Sequence, residues 1–104
     1  MIPKNKPLRD RKYLDSMRGE ACYACGARDG TVVGAHIRHG FFGIGIKPDD
    51  SLALPLCAAD HEVQHRIGEI SFWAHYLKTP KGFEGVDAAK VRARERYSKW
   101  KEKQ

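Results

Sequence analysis

The chain has 104 residues, 19 Lys and Arg against 13 Asp and Glu, and a net charge of +6 with a pI near 9.4, which suits a single domain with a modest core and an anionic partner such as nucleic acid. Its longest apolar run, residues 52–59, is too short to span a bilayer and contains Pro55. The N-terminal stretch has neither the apolar core nor the small-residue cleavage site of a secretory signal, so we expect a cytoplasmic protein with no membrane partner.

Residues 1–7 read as a disordered arm. Leu8, Leu14 and Met17 on one face predict a helix from Leu8 to about Arg18, ended by Gly19. Cys22-Tyr-Ala-Cys25 makes a knuckle, and Arg28-Asp29-Gly30 a turn. Thr31 to Arg38 reads as a strand, with Val33, Ala35 and Ile37 on one side and Val32, His36 and Arg38 on the other. A glycine-rich loop follows, from Gly40 to Asp50. Leu52, Leu54 and Leu56 alternate along a second strand that Pro55 places at an edge. Helices are expected over 60–68, stopped by Gly68, over 70–78, ended before Pro80, and over 86–103. The last carries a narrow apolar stripe of Ala89, Ala93, Tyr97 and Trp100. The class is α+β, and the middle of the chain is a ββα unit.

Four of the five histidines and the last of the three cysteines lie between His36 and His65. Imidazole and thiolate bind borderline metals, and imidazole moves protons near neutral pH. His61 and His65, spaced i, i+4, stack one turn apart on a helix; they either share an ion or lie on a solvated face. His36 shares its strand side with Arg38 and is the candidate general base; otherwise it is an ordinary packed histidine. His39 supports it or begins the loop. Asp50 is a turn residue or the carboxylate that orients a catalytic histidine.

Cys22, Cys25 and Cys57 have the character of a structural zinc site. A second C-x-x-C would put cysteine at position 60, where the chain has Asp60, so the choice lies between a Cys3Asp site and ordinary buried thiols. An odd cysteine count without a signal points to ligation or free thiols before disulfides. Thirty-five residues separate Cys25 from His61, against about twelve in a Cys2His2 finger. The glycine loop lacks the G-K-[ST] ending of a P-loop, which excludes a nucleotide triphosphatase. Phe41 and Phe42 are read as loop anchors, and Lys47 as a phosphate contact. Seven Lys or Arg against two Glu in residues 90–104 form either a solvated helix face or a second phosphate-binding stripe of Arg92, Arg96, Lys99 and Lys103.

Taken together, Cys22-x-x-Cys25, Ala35-His36-Ile-Arg38, Gly43-x-Gly-x-Lys47-Pro-Asp-Asp50 and Cys57-x-x-Asp60-His61-x-x-x-His65 resemble the HNH, or His-Me finger, endonucleases. The likeness is to small phage and prophage nucleases and the phage recombination-enhancement nuclease, over roughly residues 20–68. It implies a ββα-metal finger with a zinc-knuckle-like CxxC and flanking helices, within one domain over 8–104 in a bacterial host cell. By similarity His36 activates water, and His61 and His65 hold a catalytic Mg2+, Mn2+, Ni2+ or Zn2+. Asp50 falls beside the motif's central position, and Cys22, Cys25, Cys57 and Asp60 match the structural zinc ligands. Ala35 and Asp60 depart from the usual metal-binding residues. The implied activity is DNA hydrolysis of low sequence specificity, with Arg38, Lys47, Arg66, Arg92, Arg96 and Lys99 on the DNA and a recombination protein as a further partner. Two rivals remain: a non-catalytic zinc-stabilised DNA-binding module, and a zinc peptidase using His61-Glu62-x-x-His65, which the early stop at Gly68 disfavours.

Overall fold

The computed structural model describes residues 9–38, 49–80 and 82–104. The arm 1–7, Leu8, His39 and residues 40–48 of the glycine loop, with Phe41, Phe42 and Lys47, lie outside them. The first helix, α1, spans Arg11–Ser16 and tightens into a single 3-10 turn over Met17–Gly19. It starts later than the apolar pattern predicts because Asp10 caps it, its carboxylate accepting from the Tyr13 N–H at 3.2 Å. The buried face is Tyr13 and Met17. The Tyr13 ring lies 4.8 Å from that of Tyr97 and 5.2 Å from Trp100.

Two antiparallel strands, β1 (Val33–His36) and β2 (Ala53–Leu56), form the sheet. Each is shorter than its sequence pattern. The ladder bond from the Ile37 N–H to the Leu52 carbonyl (2.8 Å) continues the pairing just beyond them. Pro55 sits opposite Gly34, and its carbonyl accepts from the Tyr23 N–H at 2.7 Å. Proline's missing donor therefore costs no ladder bond. All four residues of β2 are buried, so both sheet faces are covered rather than one. Leu54 and Leu56 join Phe72, Trp73, Val86, Ala89 and Ala93 in the main core, while Ala53 packs with Tyr13 and Met17. Val32, assigned by alternation to the polar side, lies before the strand proper and is buried in the main core.

The chain then enters α2 (Ala58–Ile67), two residues earlier than expected, with Cys57 at the N-cap. Gly68 ends α2 and begins α3 (Glu69–Tyr76) with φ of 89°, a conformation that favours glycine. The last helix, α4, spans Glu84–Glu102 and buries Gly85, Val86, Ala89 and Ala93; Tyr97 and Trp100 continue the stripe onto the second cluster. Among the described residues, no helix is long and apolar enough to cross a membrane.

The α3–α4 crossing depends on Gly85. A Cβ there would stand 2.5 Å from the Ala74 nitrogen and 2.7 Å from the Trp73 carbonyl carbon, both backbone atoms that cannot rotate away. Gly85→Ala is therefore expected to destabilise the fold by about 3 kcal/mol. The check is the urea midpoint at constant m-value; an unchanged midpoint would contradict this crossing.

Candidate functional site

Cys22 and Cys25 flank a turn closed by the Gly26 N–H to Cys22 carbonyl bond (2.8 Å) and the Cys22 N–H to Ala27 carbonyl bond (2.9 Å). Tyr23 pins this turn to β2, where Cys57 follows directly. Asp60, in the first turn of α2, completes a group of four whose donor atoms all lie within 4.8 Å of one another. The Cys25 and Cys57 sulfurs are 3.8 Å apart, too far for a disulfide. Tetrahedral zinc with Zn–S bonds near 2.3 Å spaces its sulfurs about 3.8 Å apart. Cys22 and Cys57 Sγ lie 3.1 and 3.4 Å from Asp60 Oδ2. Three cysteines and an aspartate thus stand close enough to bind a metal such as zinc.

Asp60 offers only one oxygen inward, because Tyr76 donates its hydroxyl to Oδ1 at 3.1 Å. Burial pushes the Asp60 carboxyl up, but hydrogen bonds from the three thiols and Tyr76 outweigh it and hold the group below its ordinary value. The same carboxylate pushes the Cys25 thiol up to about 12, so metal uptake must release thiol protons. Tyr76→Phe, which frees Oδ1 without emptying the ring's space, is expected to weaken zinc binding by about 10- to 100-fold in a competitive chelator titration.

The histidines form a second group. His61 and His65 lie one turn apart on α2 with their Nε2 atoms 3.2 Å apart. Metal–nitrogen bonds of about 2.0–2.1 Å place two neighbouring ligands about 3.0–3.4 Å apart, so the pair fits a shared ion. Burial holds His61 below its ordinary value of 6.5, aided by the positive charges of His65, Arg38 and His36. A neutral imidazole is the ligating form. His36, Arg38, Gln64, His65, Gly68 and Glu69 line one cleft of about 250 Å3, so the strand histidine and His65 of the helix pair meet at the same opening, with His61 one turn back along α2.

Asp50 orients His36. Its Oδ1 lies 2.8 Å from His36 Nε2, and its side chain is 6% exposed against 26% for His36. Burial pushes the Asp50 carboxyl up, but hydrogen bonds from His36 and the Asp10 N–H, with the charges of His36 and Arg9, hold it below its ordinary value. A carboxylate on Nε2 keeps the proton there and leaves Nδ1 as the accepting nitrogen.

These shifts carry a pH dependence. A histidine whose folded value is depressed binds fewer protons than in the unfolded chain, so its stability contribution is lost as pH falls below about 6.5. Asp50 and Asp60, also depressed, add a second loss below about pH 3.8. Stability from chemical denaturation should decline in both windows, and His61→Ala should remove part of the first. A profile flat from pH 7 to 5 would contradict the His61 environment.

Among the other predicted residues, Arg38 and Arg66 are exposed, and the Arg38 N–H donates to Glu69 Oε2 at 2.6 Å. The stripe on α4 is not a free row. Arg92 donates to the Tyr23 hydroxyl at 3.0 Å, and Arg96 pairs with Glu20 at 2.7 Å, so both tie α4 to the N-terminal half; Lys99 is exposed. Glu69, Gln64 and Tyr76 were absent from the expected site. Glu69 had one sequence signal, an acidic residue opening a helix after glycine; Tyr76 had none. The family model described as Protein of unknown function (DUF968) matches residues 1–81, which include both groups and stop short of α4. Comparison with curated proteins and with solved structures gives no match.

Proposed function

The chain belongs to the DUF968 family, and for this member we propose a metal-dependent DNA endonuclease of the HNH, or His-Me finger, type. The observation that carries the reading is the joint geometry of the histidines: His36 held by Asp50 at 2.8 Å, and the His61 and His65 Nε2 atoms 3.2 Å apart beside a cleft that His36 and His65 line together. The order β1, β2, α2 and the resemblance over residues 20–68 support it.

Asp50 fixes the His36 tautomer, so Nδ1 takes the proton from an attacking water. A divalent ion held by His61 and His65 would supply positive charge against a phosphate oxygen and the departing 3′-oxygen. Arg38 and Arg66 contact the phosphates near the cleft, and Lys99 adds affinity that falls with salt. By resemblance the products are 5′-phosphate and 3′-hydroxyl ends, sequence specificity is low, and the setting is a phage or prophage. Supercoiled plasmid should be nicked with Mg2+, Mn2+ or Ni2+, and chelator should stop it. The second reading, a zinc-stabilised DNA-binding module without catalysis, is favoured by the well-formed cysteine–aspartate group. It predicts one zinc per chain, salt-sensitive DNA binding and no nicking with any of these ions.

A further inference from the structure

The hydrogen bonds that orient His36 do not end at Asp50. Asp50 Oδ2 accepts the backbone N–H of Asp10 at 2.7 Å. Asp10 is held from two sides. Its Oδ1 accepts the Tyr13 N–H as the cap of α1, and its Oδ2 accepts the Tyr97 hydroxyl of α4 at 3.0 Å, with Lys101 Nζ at 3.9 Å. The Tyr97 ring stands edge-on to Tyr13 at 4.8 Å, and α4 packs against the turn Asp50–Leu52.

We infer that α4 braces the catalytic base, with Tyr97 and Asp10 as positioning residues that act on His36 through Asp50. One hydrogen bond leaves a carboxylate free to turn about its own axis. A second bond on the other oxygen fixes its plane, and with it the imidazole. That second donor is a backbone N–H, so its place depends on where Asp10 is held. Asp10 is clamped between α1 and α4, and α4 lies beyond residues 1–81 of the family match. The part of the chain outside the match therefore completes the site within it. This inference deepens the proposed nuclease and rests on that reading for its kinetic test.

Tyr97→Phe removes the hydroxyl and keeps the ring packing. It is expected to lower kcat for plasmid nicking by about three- to tenfold, the range of one hydrogen bond, with KM unchanged. In an Asp50→Ala background the same change should lower kcat no further, because its route to His36 is already cut. Nitrogen-15 NMR of the His36 ring should show the Nε2–H tautomer in the wild type and a mixture in Tyr97→Phe. Equal losses in both backgrounds, no loss in the wild-type background, or an unchanged tautomer would overturn the brace. Should the wild-type protein fail to nick DNA, the proposed activity falls, and the tautomer measurement still decides the brace.

Discussion

His36→Ala is expected to lower the rate of metal-dependent plasmid nicking by about 10²- to 10⁴-fold, the usual contribution of a positioned general base. DNA affinity should change little, since the His36 side chain is only 26% exposed and the proposed phosphate contacts are Arg38, Arg66 and Lys99. The fold should survive. Asp50 keeps the Asp10 N–H and Arg9 as partners, and one lost hydrogen bond costs about 1 kcal/mol. Asp50→Asn separates orientation from chemistry more sharply. An amide group facing Nε2 donates where the carboxylate accepted, which moves the ring proton to Nδ1 and blocks the base. The expected signature is lost nicking with an unchanged melting temperature within a few degrees. Full activity in clean His36→Ala protein would remove His36 from the mechanism.

Removing the ion from the cysteine–aspartate group should have the second large effect, on stability. Zinc at a thousandfold excess over its Kd adds about 4 kcal/mol to the folded state, against about 5–15 kcal/mol in total for a domain of this size. Cys22 and Cys57 belong to the main core alongside Leu54, Leu56 and Trp73, so losing the ion loosens the packing that holds β2 under α2. Complete removal, verified by elemental analysis, is expected to lower Tm by about 15–30 °C. Chelation followed by Mg2+ alone should restore neither Tm nor nicking, whereas zinc plus Mg2+ should restore both. An unchanged Tm in zinc-free protein would show that the four donors are ordinary core and surface residues.

The sequence carried the local features well and the distant ones poorly. Period-two alternation located both strands, i, i+4 spacing put His61 and His65 on one helix face, and C-x-x-C spacing marked the knuckle. Each of these signals lies within a few residues of chain. Element ends were misjudged: the Asp10 side chain caps α1, and α2 starts two residues early, with Cys57 at its N-cap but no side-chain capping bond. The contacts that complete the two sites span long separations. Asp10 meets Asp50 across 40 residues, Tyr97 meets Asp10 across 87, and Tyr76 meets Asp60 across 16. No local pattern encodes such pairs, because they depend on how α3 and α4 fold back over the sheet. On the basic face of α4, Arg92 is exposed as its composition suggests, yet it donates to Tyr23, and Arg96 pairs with Glu20.

The central claim is that His61 and His65 share an ion beside His36, within reach of one phosphodiester. Crystals of the protein grown with Mn2+ and a short duplex, measured for anomalous scattering, test it most directly. The account predicts a manganese peak bonded to both Nε2 atoms, with a backbone phosphate between that ion and the His36 ring. Manganese confined to the cysteine–aspartate group, or DNA bound on a face remote from His36, would contradict it.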